Sequence, residues 1–376
     1  MKITVNSELL ADALEEASKA ISNKALNPIL SGFLIRASEN GIDVTGMDER
    51  VTIQSYISGE HVDVIRKGSI VFPKLFQEII KKINGEVLID VNDRFEASIT
   101  SNKKEIDIVG FDASEFPQTP EIDQDKTVDI SGSNLKDWIK KTSFAVSSDE
   151  KAARILAGVN VIIGDGKIKM LATDRSRLAR IEKEIEVPDL GKTTIEGRGL
   201  TDLEKIIQDK DDVEFGFSKS ATGDVIYVFV RTDRFTFYSR VLEGEFPDAE
   251  RLVREAKSTT EVKVNRKEFI QSIDLIYTLA KEEKISAVRL SVTGNEVLIN
   301  GKGKGMGKAS ESIFPIHFSG EPFKISLNAK YMIEALKAIE SNEVTVRFNG
   351  KMAPVILRGD ESEGSLYVVL PYRTEV

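Results

Sequence analysis

The residues able to do chemistry are few and scattered. His61 and His317 each stand alone in strand-like sequence, with no nucleophile and no metal-ligand spacing beside them. Asp43 with Asp48, and Asp165 with Asp174, could be drawn as carboxylate pairs for acid–base work, but aspartate is common at such turns. There is no cysteine, so disulfides and thiol metal ligands are excluded. The stretch GKGKGMGK at 301–308 is glycine-rich and basic, like a phosphate cradle. It breaks the nucleotide-loop pattern, because Ala309 follows Gly307-Lys308, and it breaks G-x-G-x-x-G as well. It reads as a flexible hairpin tip. Met47, Met170 and Met306 read as fillers or loop residues. Neither catalysis nor a cofactor or metal is expected.

With 376 residues, at roughly 150 per domain, two or three domains are expected. Hydrophobic content of 41% and charged content of 30% are ordinary for a globular protein. No apolar run reaches the roughly 18 residues of a membrane span. The start MKITVNSELLADALEE is acidic and amphipathic and lacks the order of a secretory signal, so a cytoplasmic location is expected. A net charge of −9 speaks against a generally basic nucleic-acid binder, yet it permits one basic surface.

Internal similarity organises the chain. Residues 3–22, 128–147 and 262–281 each read as a short strand followed by an amphipathic helix. The helical stripes are Leu9, Leu10, Ala13, Leu14, Ala17 and Ile21; then Leu135, Trp138, Ile139 and Thr142; then Phe269, Ile270, Ile273, Ile276 and Tyr277. A second unit of strand, helix, turn and strand recurs at 69–91, 193–217 and 323–348. Its stripes are Leu75, Phe76, Ile79, Ile80 and Ile83; then Leu200, Leu203, Ile206 and Ile207; then Tyr331, Met332, Leu336 and Ile339. Hairpins lie between, turning at Glu39-Asn40-Gly41, Gly164-Asp165-Gly166 and Thr293-Gly294-Asn295. Glu-Phe-Pro occurs at 115–117 and again at 245–247, marking equivalent exits from the first two copies. The expected fold class is α+β, three tandem two-helix plus β-sheet domains at 1–122, 123–255 and 256–376.

The whole chain resembles the bacterial DNA polymerase III beta subunits, the β sliding clamps. The matches run in family order: MKITV, NPILSGFLI at 27–35, VTGMD at 44–48, Phe116-Pro117, LAGVNV at 156–161, LATDRSRLA at 171–179, EGEFPD at 243–248, AVRLSV at 287–292 and YVVLPYR at 367–373. The resemblance implies a clamp fold and a head-to-tail homodimeric ring. Helices would line a hole around duplex DNA, and the ring would tether DNA polymerase III catalytic subunit, clamp loader and other clamp-motif peptides. Binding would be independent of base sequence, since phosphate contacts carry no base information. Lys24, Lys74, Lys81, Lys82, Lys136, Lys140, Lys141, Arg198, Lys205, Arg266, Lys267, Lys330 and Lys337 are the expected DNA-facing cations, although the first helix is acidic. Association with the nucleoid is expected.

By the same resemblance a partner-peptide pocket is expected between the second and third domains. Leu156, Thr173, Arg175, Ser176, Arg177 and Leu178 match it, then Pro247, Arg251 and Leu252. From the third domain come Asn328, Tyr331, Met352, Pro354, Val368, Val369, Leu370, Pro371, Tyr372 and Arg373. Aliphatic walls suit a Leu or Phe anchor, and polar groups fix orientation. Arg175 and Ser176 stand where the family usually has a small residue and His, and Tyr372 replaces a smaller aliphatic, which puts the peptide preference in question. The chain also continues past Arg373, and a divergent or second clamp copy fits these departures. The implied dimer interface pairs Lys74, Ile79, Ile106 and Ile108 with Leu279 and Ala280. Lys302, Lys304 and Lys308 are expected to pair with Glu96, Glu105 or Asp107 across it. Two other readings stand beside this one: a repeat-built peptide scaffold that never encircles DNA, and a carboxylate hydrolase in a groove between repeats.

Overall fold

Alternation in the sequence becomes alternation of burial. In the first strand, Lys2–Asn6, Ile3 and Val5 are enclosed while their neighbours are not. The computed structural model describes residues 1–22, 27–120, 127–220, 222–254, 258–280, 286–303, 307–350 and 352–372. Its helices are α1 (Ser7–Ser18), α2 (Leu75–Ile80), α3 (Gly132–Ser143), α4 (Gly197–Ile206), α5 (Arg251–Arg254), α6 (Arg266–Ala280) and α7 (Ala329–Ala338). Asn6 caps α1 by accepting from the Glu8 amide at 2.8 Å, and Asn328 caps α7 in the same way from Lys330 at 3.0 Å.

Helix α1 buries Leu10, Ala13, Leu14 and Ala17, as the 3.6-residue period demands. Two stripe assignments fail. Leu9 is 38% exposed and Leu75 is 56% exposed. Leu75 opens the six-residue α2, whose inward face is carried by Phe76 and Ile80, so the buried stripe begins one position later than the spacing suggests.

The chain divides into two compact units: residues 1–136 with 198–241, and residues 137–197 with 242–376. These units do not follow the repeat, because the middle repeat contributes to both. The ladders give the reason. In the first unit an eight-stranded sheet runs Thr127–Ser131, Asp212–Lys219, Val225–Arg231, Phe235–Arg240, Val51–Ser58, Gly41–Met47, Gly32–Ser38, Gly68–Pro73. Phe237 sits opposite Ile53, so strands from two repeats share hydrogen bonds. In the second unit a nine-stranded sheet joins Arg177–Glu184 to Ser365–Val369, with Leu178 opposite Val368. Each unit also holds a smaller sheet. The five-stranded one in the first unit ends on the edge strand Lys104–Val109, and the four-stranded one in the second ends on Gly307–Ile313.

The repeated Glu-Phe-Pro has a packing meaning. Phe116 is buried against Ile29, Leu34, Met47 and Val71. Phe246 packs against Ile155, Leu156 and Leu242 on one side and the Leu171, Leu178 and Val368 cluster on the other. Each phenylalanine pins the chain to its own unit as it leaves a hairpin.

Candidate peptide-docking surface and helix cations

The hairpin of Lys167–Thr173 and Arg177–Glu184 turns through Asp174, Arg175 and Ser176. Asp174 Oδ1 accepts the Ser176 amide at 2.8 Å and the Arg177 amide at 3.0 Å, and Thr173 Oγ1 accepts the Arg175 amide at 3.1 Å. Arg175 is held at φ +74°, a left-handed conformation uncommon outside glycine, and its side chain is exposed. Ser176 is exposed too, and its carbonyl accepts the Leu370 amide at 2.8 Å, which ties the turn to the end of the last strand.

Arg177 behaves differently from its neighbours. Nε donates to Asp174 at 3.0 Å, Nη2 donates to the Phe144 carbonyl at 2.6 Å, and Nη1 pairs with Glu334 of α7. Its guanidinium carbon lies 4.3 Å from the Tyr331 ring centre. The side chain is only 9% exposed. Arg177 therefore braces the surface from behind, and its fork is already committed. Burial, first of all, pushes the Tyr331 hydroxyl above its ordinary pKa, with the Asp174 charge adding to it.

The remaining expected pocket residues sort by depth. Pro247, Arg251, Met352 and Tyr372 are exposed, and Asn328, Tyr331, Pro354, Leu370 and Pro371 are half-buried. Leu156, Thr173, Leu178, Val368 and Val369 are enclosed. Leu178 and Val368 are covered by Phe246, Ala249 and Val253, so they form a floor under the connector rather than open walls. The Leu252 side chain and Arg373 lie outside the described residues. Phe144, Phe246 and Glu334 build the surface without having been expected in it. The repeated Glu-Phe-Pro was the signal for Phe246; nothing in the sequence marked the other two.

The helix cations are unequal. Lys74, Lys81, Lys82, Lys140, Arg198, Lys205, Lys267, Lys330 and Lys337 are exposed; Lys24 lies outside the described residues. Lys141 does not fit the expectation of a DNA-facing group. It is 5% exposed, and its ammonium is held by Asp137 at 2.7 Å and Glu340 at 3.0 Å. Arg266 does not fit either, because its fork donates to the carbonyls of Ser341 at 2.7 Å, Glu340 at 3.3 Å and Leu336 at 3.4 Å, closing the chain just after α7. Lys136 is half-buried and pairs with Asp209 at 3.4 Å. A cleft of about 390 Å³ lies between α3 and α7, lined by Lys140, Lys141 and Lys337 against Asp137, Glu334 and Glu340, so its charges balance.

Of the expected dimer residues, Ile106 and Ile79 are half-buried and Ile108 is nearly enclosed. Leu279 reaches the surface of α6, but Ala280 is enclosed, since it lies on the face of α6 turned to its own sheets. Lys304 lies outside the described residues. Lys302 and Lys308 are exposed and sit directly opposite each other in the edge hairpin.

Comparison with known proteins covers the whole chain. Residues 1–120, 129–248 and 254–373 match the models for the N-terminal, central and C-terminal domains of the DNA polymerase III beta subunit. The beta sliding clamp of Bacillus subtilis is 34% identical over 385 residues, and that of Staphylococcus epidermidis is 36% identical over 386, with both chains covered completely in each case. The crystal structure of the Bacillus subtilis DNA polymerase sliding clamp superposes over both full chains with a TM-score of 0.94 at 34% identity. The beta subunit of Streptococcus pyogenes DNA polymerase gives 0.93 at 26%, again with both chains covered fully. The chain belongs to the family of bacterial DNA polymerase III beta subunits, the DNA sliding clamps, processivity factors rather than catalytic subunits.

Proposed function

We propose that two copies of this chain close head to tail into a ring around duplex DNA, with helices lining the hole and three clamp domains, 1–122, 123–255 and 256–376, in each copy. The observation that carries this reading is a pair of open sheet edges, Lys104–Val109 in one unit and Gly307–Ile313 in the other. An open edge presents unpaired backbone donors and acceptors, and a two-fold partner satisfies both at once. Charge supports the same pairing. Lysines directly opposite one another repel, and Glu96, Glu105 and Asp107, all exposed at or beside the other edge, would relieve Lys302 and Lys308.

The ring holds by topology, so contact with DNA can stay weak. The exposed helix cations supply a sequence-independent field, and the ion pairs among them keep it modest. The DNA polymerase III catalytic subunit, the clamp loader and other clamp-motif proteins dock by an apolar peptide at Met352, Pro354, Leu370 and Tyr372, beside the Arg175–Ser176 turn. The cytoplasm, on the nucleoid, is the expected location. Sedimentation of the native protein tests the assembly. The expected mass is twice that of the chain, and Ile106→Lys on the edge strand yields monomer. A wild-type monomer at every concentration contradicts the ring.

A further inference from the structure

Two exposed apolar side chains stand beside a free sheet edge. Val109 is 65% exposed and Phe111 is 48% exposed, at and just past the end of the edge strand Lys104–Val109. The repeat identifies their counterparts. Across the five-stranded sheet one row of paired residues runs Ile3, Ile89, Ile99, Ile106. The matching row in the third repeat runs Val262, Val346, Leu357, Tyr367. Ile3 stands three residues before the capping Asn6, and Val262 stands three before Asn265, whose side chain accepts the Glu268 amide at 3.1 Å. Ile106 is therefore the counterpart of Tyr367, and by count Val109 corresponds to Leu370 and Phe111 to Tyr372. A hydrogen bond outside the rows agrees. The Phe111 amide donates to the Val71 carbonyl at 2.9 Å, and the Tyr372 amide donates to the Ser326 carbonyl at 2.8 Å. Both carbonyls lie on the strand that leads into the second helix of the repeat, Gly68–Pro73 before α2 and Phe323–Asn328 before α7.

The first repeat thus carries the apolar pair that the third repeat offers to peptides. The middle repeat does not. Its row runs Val128, Phe215, Val230, Phe237, so Arg240 stands in the place of Leu370, and Leu242 is enclosed against Ile155 and Leu156. Joining of strands does not by itself cover these positions: beside the two ladders already formed within the chain, Arg240 is exposed, Leu370 is half-buried and Tyr372 is 43% exposed. Charge sets the new pair apart. Glu96 is exposed directly opposite Val109, and it precedes Ala97 as Pro354 precedes Val355. Glu105 and Asp107, on the edge strand itself, are left for the lysines of the other copy. We infer that Val109 and Phe111 form a second docking surface, beside the junction between copies, for an extended protein segment with a Leu or Phe anchor and a Lys or Arg next to it. The inference rests on the peptide-docking and ring readings proposed above, and it adds a second site on each chain with its own charge preference.

The test uses the full-length protein and peptides with a Leu-Phe anchor, a benzophenone beside it and either Lys or Gln on the flank. After irradiation the adducts are mapped by mass spectrometry. Adducts are expected in two stretches, one around Leu370 and Tyr372 and one around Val109 and Phe111. The Lys peptide should label the second stretch about threefold more than its Gln twin, as befits an exposed ion pair. Val109→Ser with Phe111→Ser should abolish the second set and keep the first, which also shows that the variant is folded. Tyr372→Ser should weaken the first set and keep the second. Adducts around Leu370 and Tyr372 alone overturn the inference and leave the docking reading standing; the other copy then covers the pair. Adducts at Val109 and Phe111 that survive the double substitution overturn it as well, and equal labelling by the two twins overturns the basic flank. Adducts in neither stretch overturn the docking reading and the inference together.

Discussion

Arg177 and Arg234 do the same work at two places. Arg234 donates through Nη2 to Asp211 at 2.7 Å and to the Ile206 carbonyl at the end of α4 at 2.9 Å, and it pairs through Nη1 with Glu16 of α1. Arg177 joins Asp174, the carbonyl just past α3 and Glu334 of α7. Each arginine thus closes a helix end in the middle repeat and reaches a glutamate on a helix of a flanking repeat, beside the ladder that joins them. Arg177→Ala and Arg234→Ala should each destabilise the fold by roughly 3–5 kcal/mol in denaturant unfolding, because each strands partners in a low-water setting. Lysine should recover little, lacking the fork. The sequence points to the wrong residue here. Thr-Asp-Arg occurs at 173–175 and 232–234, which invites pairing Arg175 with Arg234. Arg175 instead stands at positive φ with an exposed side chain, and Arg177 takes the inner place.

Glu363 gives a residue-scale prediction in pH. Burial opposes its ionisation, but hydrogen bonds from Ser341 and from the amides of Ser341 and Glu340 hold it below the ordinary value of 4.5. A lowered carboxylate pKa stabilises the fold above the unfolded value, and that contribution fades as pH falls through the folded one. Glu363→Gln should therefore cost about 1.5–3 kcal/mol at neutral pH. Stability measured against pH should show the gap between the two proteins closing below pH 4.5. A gap constant across that range would show that the charge is not what the amides hold.

At the scale of elements, spacing decides. Gly46, in the stretch VTGMD, lets α1 lie directly on the strand Gly41–Met47; a Cβ there would meet the Ala17 carbonyl oxygen at 2.1 Å. Gly46→Ala should cost about 1–3 kcal/mol by calorimetry, since a helix backbone cannot yield as a side chain can. Helices and hairpins were legible because the 3.6 and 2.0 periods are written locally. The face of a short helix was less so: α2 has six residues, too few to separate Leu75 from Phe76 by pattern. The joining of Phe235–Arg240 to Val51–Ser58, and of Arg177–Glu184 to Ser365–Val369, was not legible at all. Each couples residues over 150 positions apart, and no local period records such a partner.

For the whole molecule, the question is how a chain of net charge −9 serves DNA. Lys81 is drawn to Glu15 at 2.5 Å and Lys205 to Asp202 at 2.8 Å, while Lys141 and Arg266 turn to internal partners. A modest field from the cations that stay exposed would suit sliding and keep open DNA contact weak. Retention on DNA is expected to come from enclosure. It is tested most directly by loading the protein with its host's clamp loader onto nicked circular DNA and measuring retention before and after the circle is cut. Lasting retention on the circle and rapid loss once ends exist are the expected result. Equal retention on both forms would mean ordinary electrostatic binding and would contradict it.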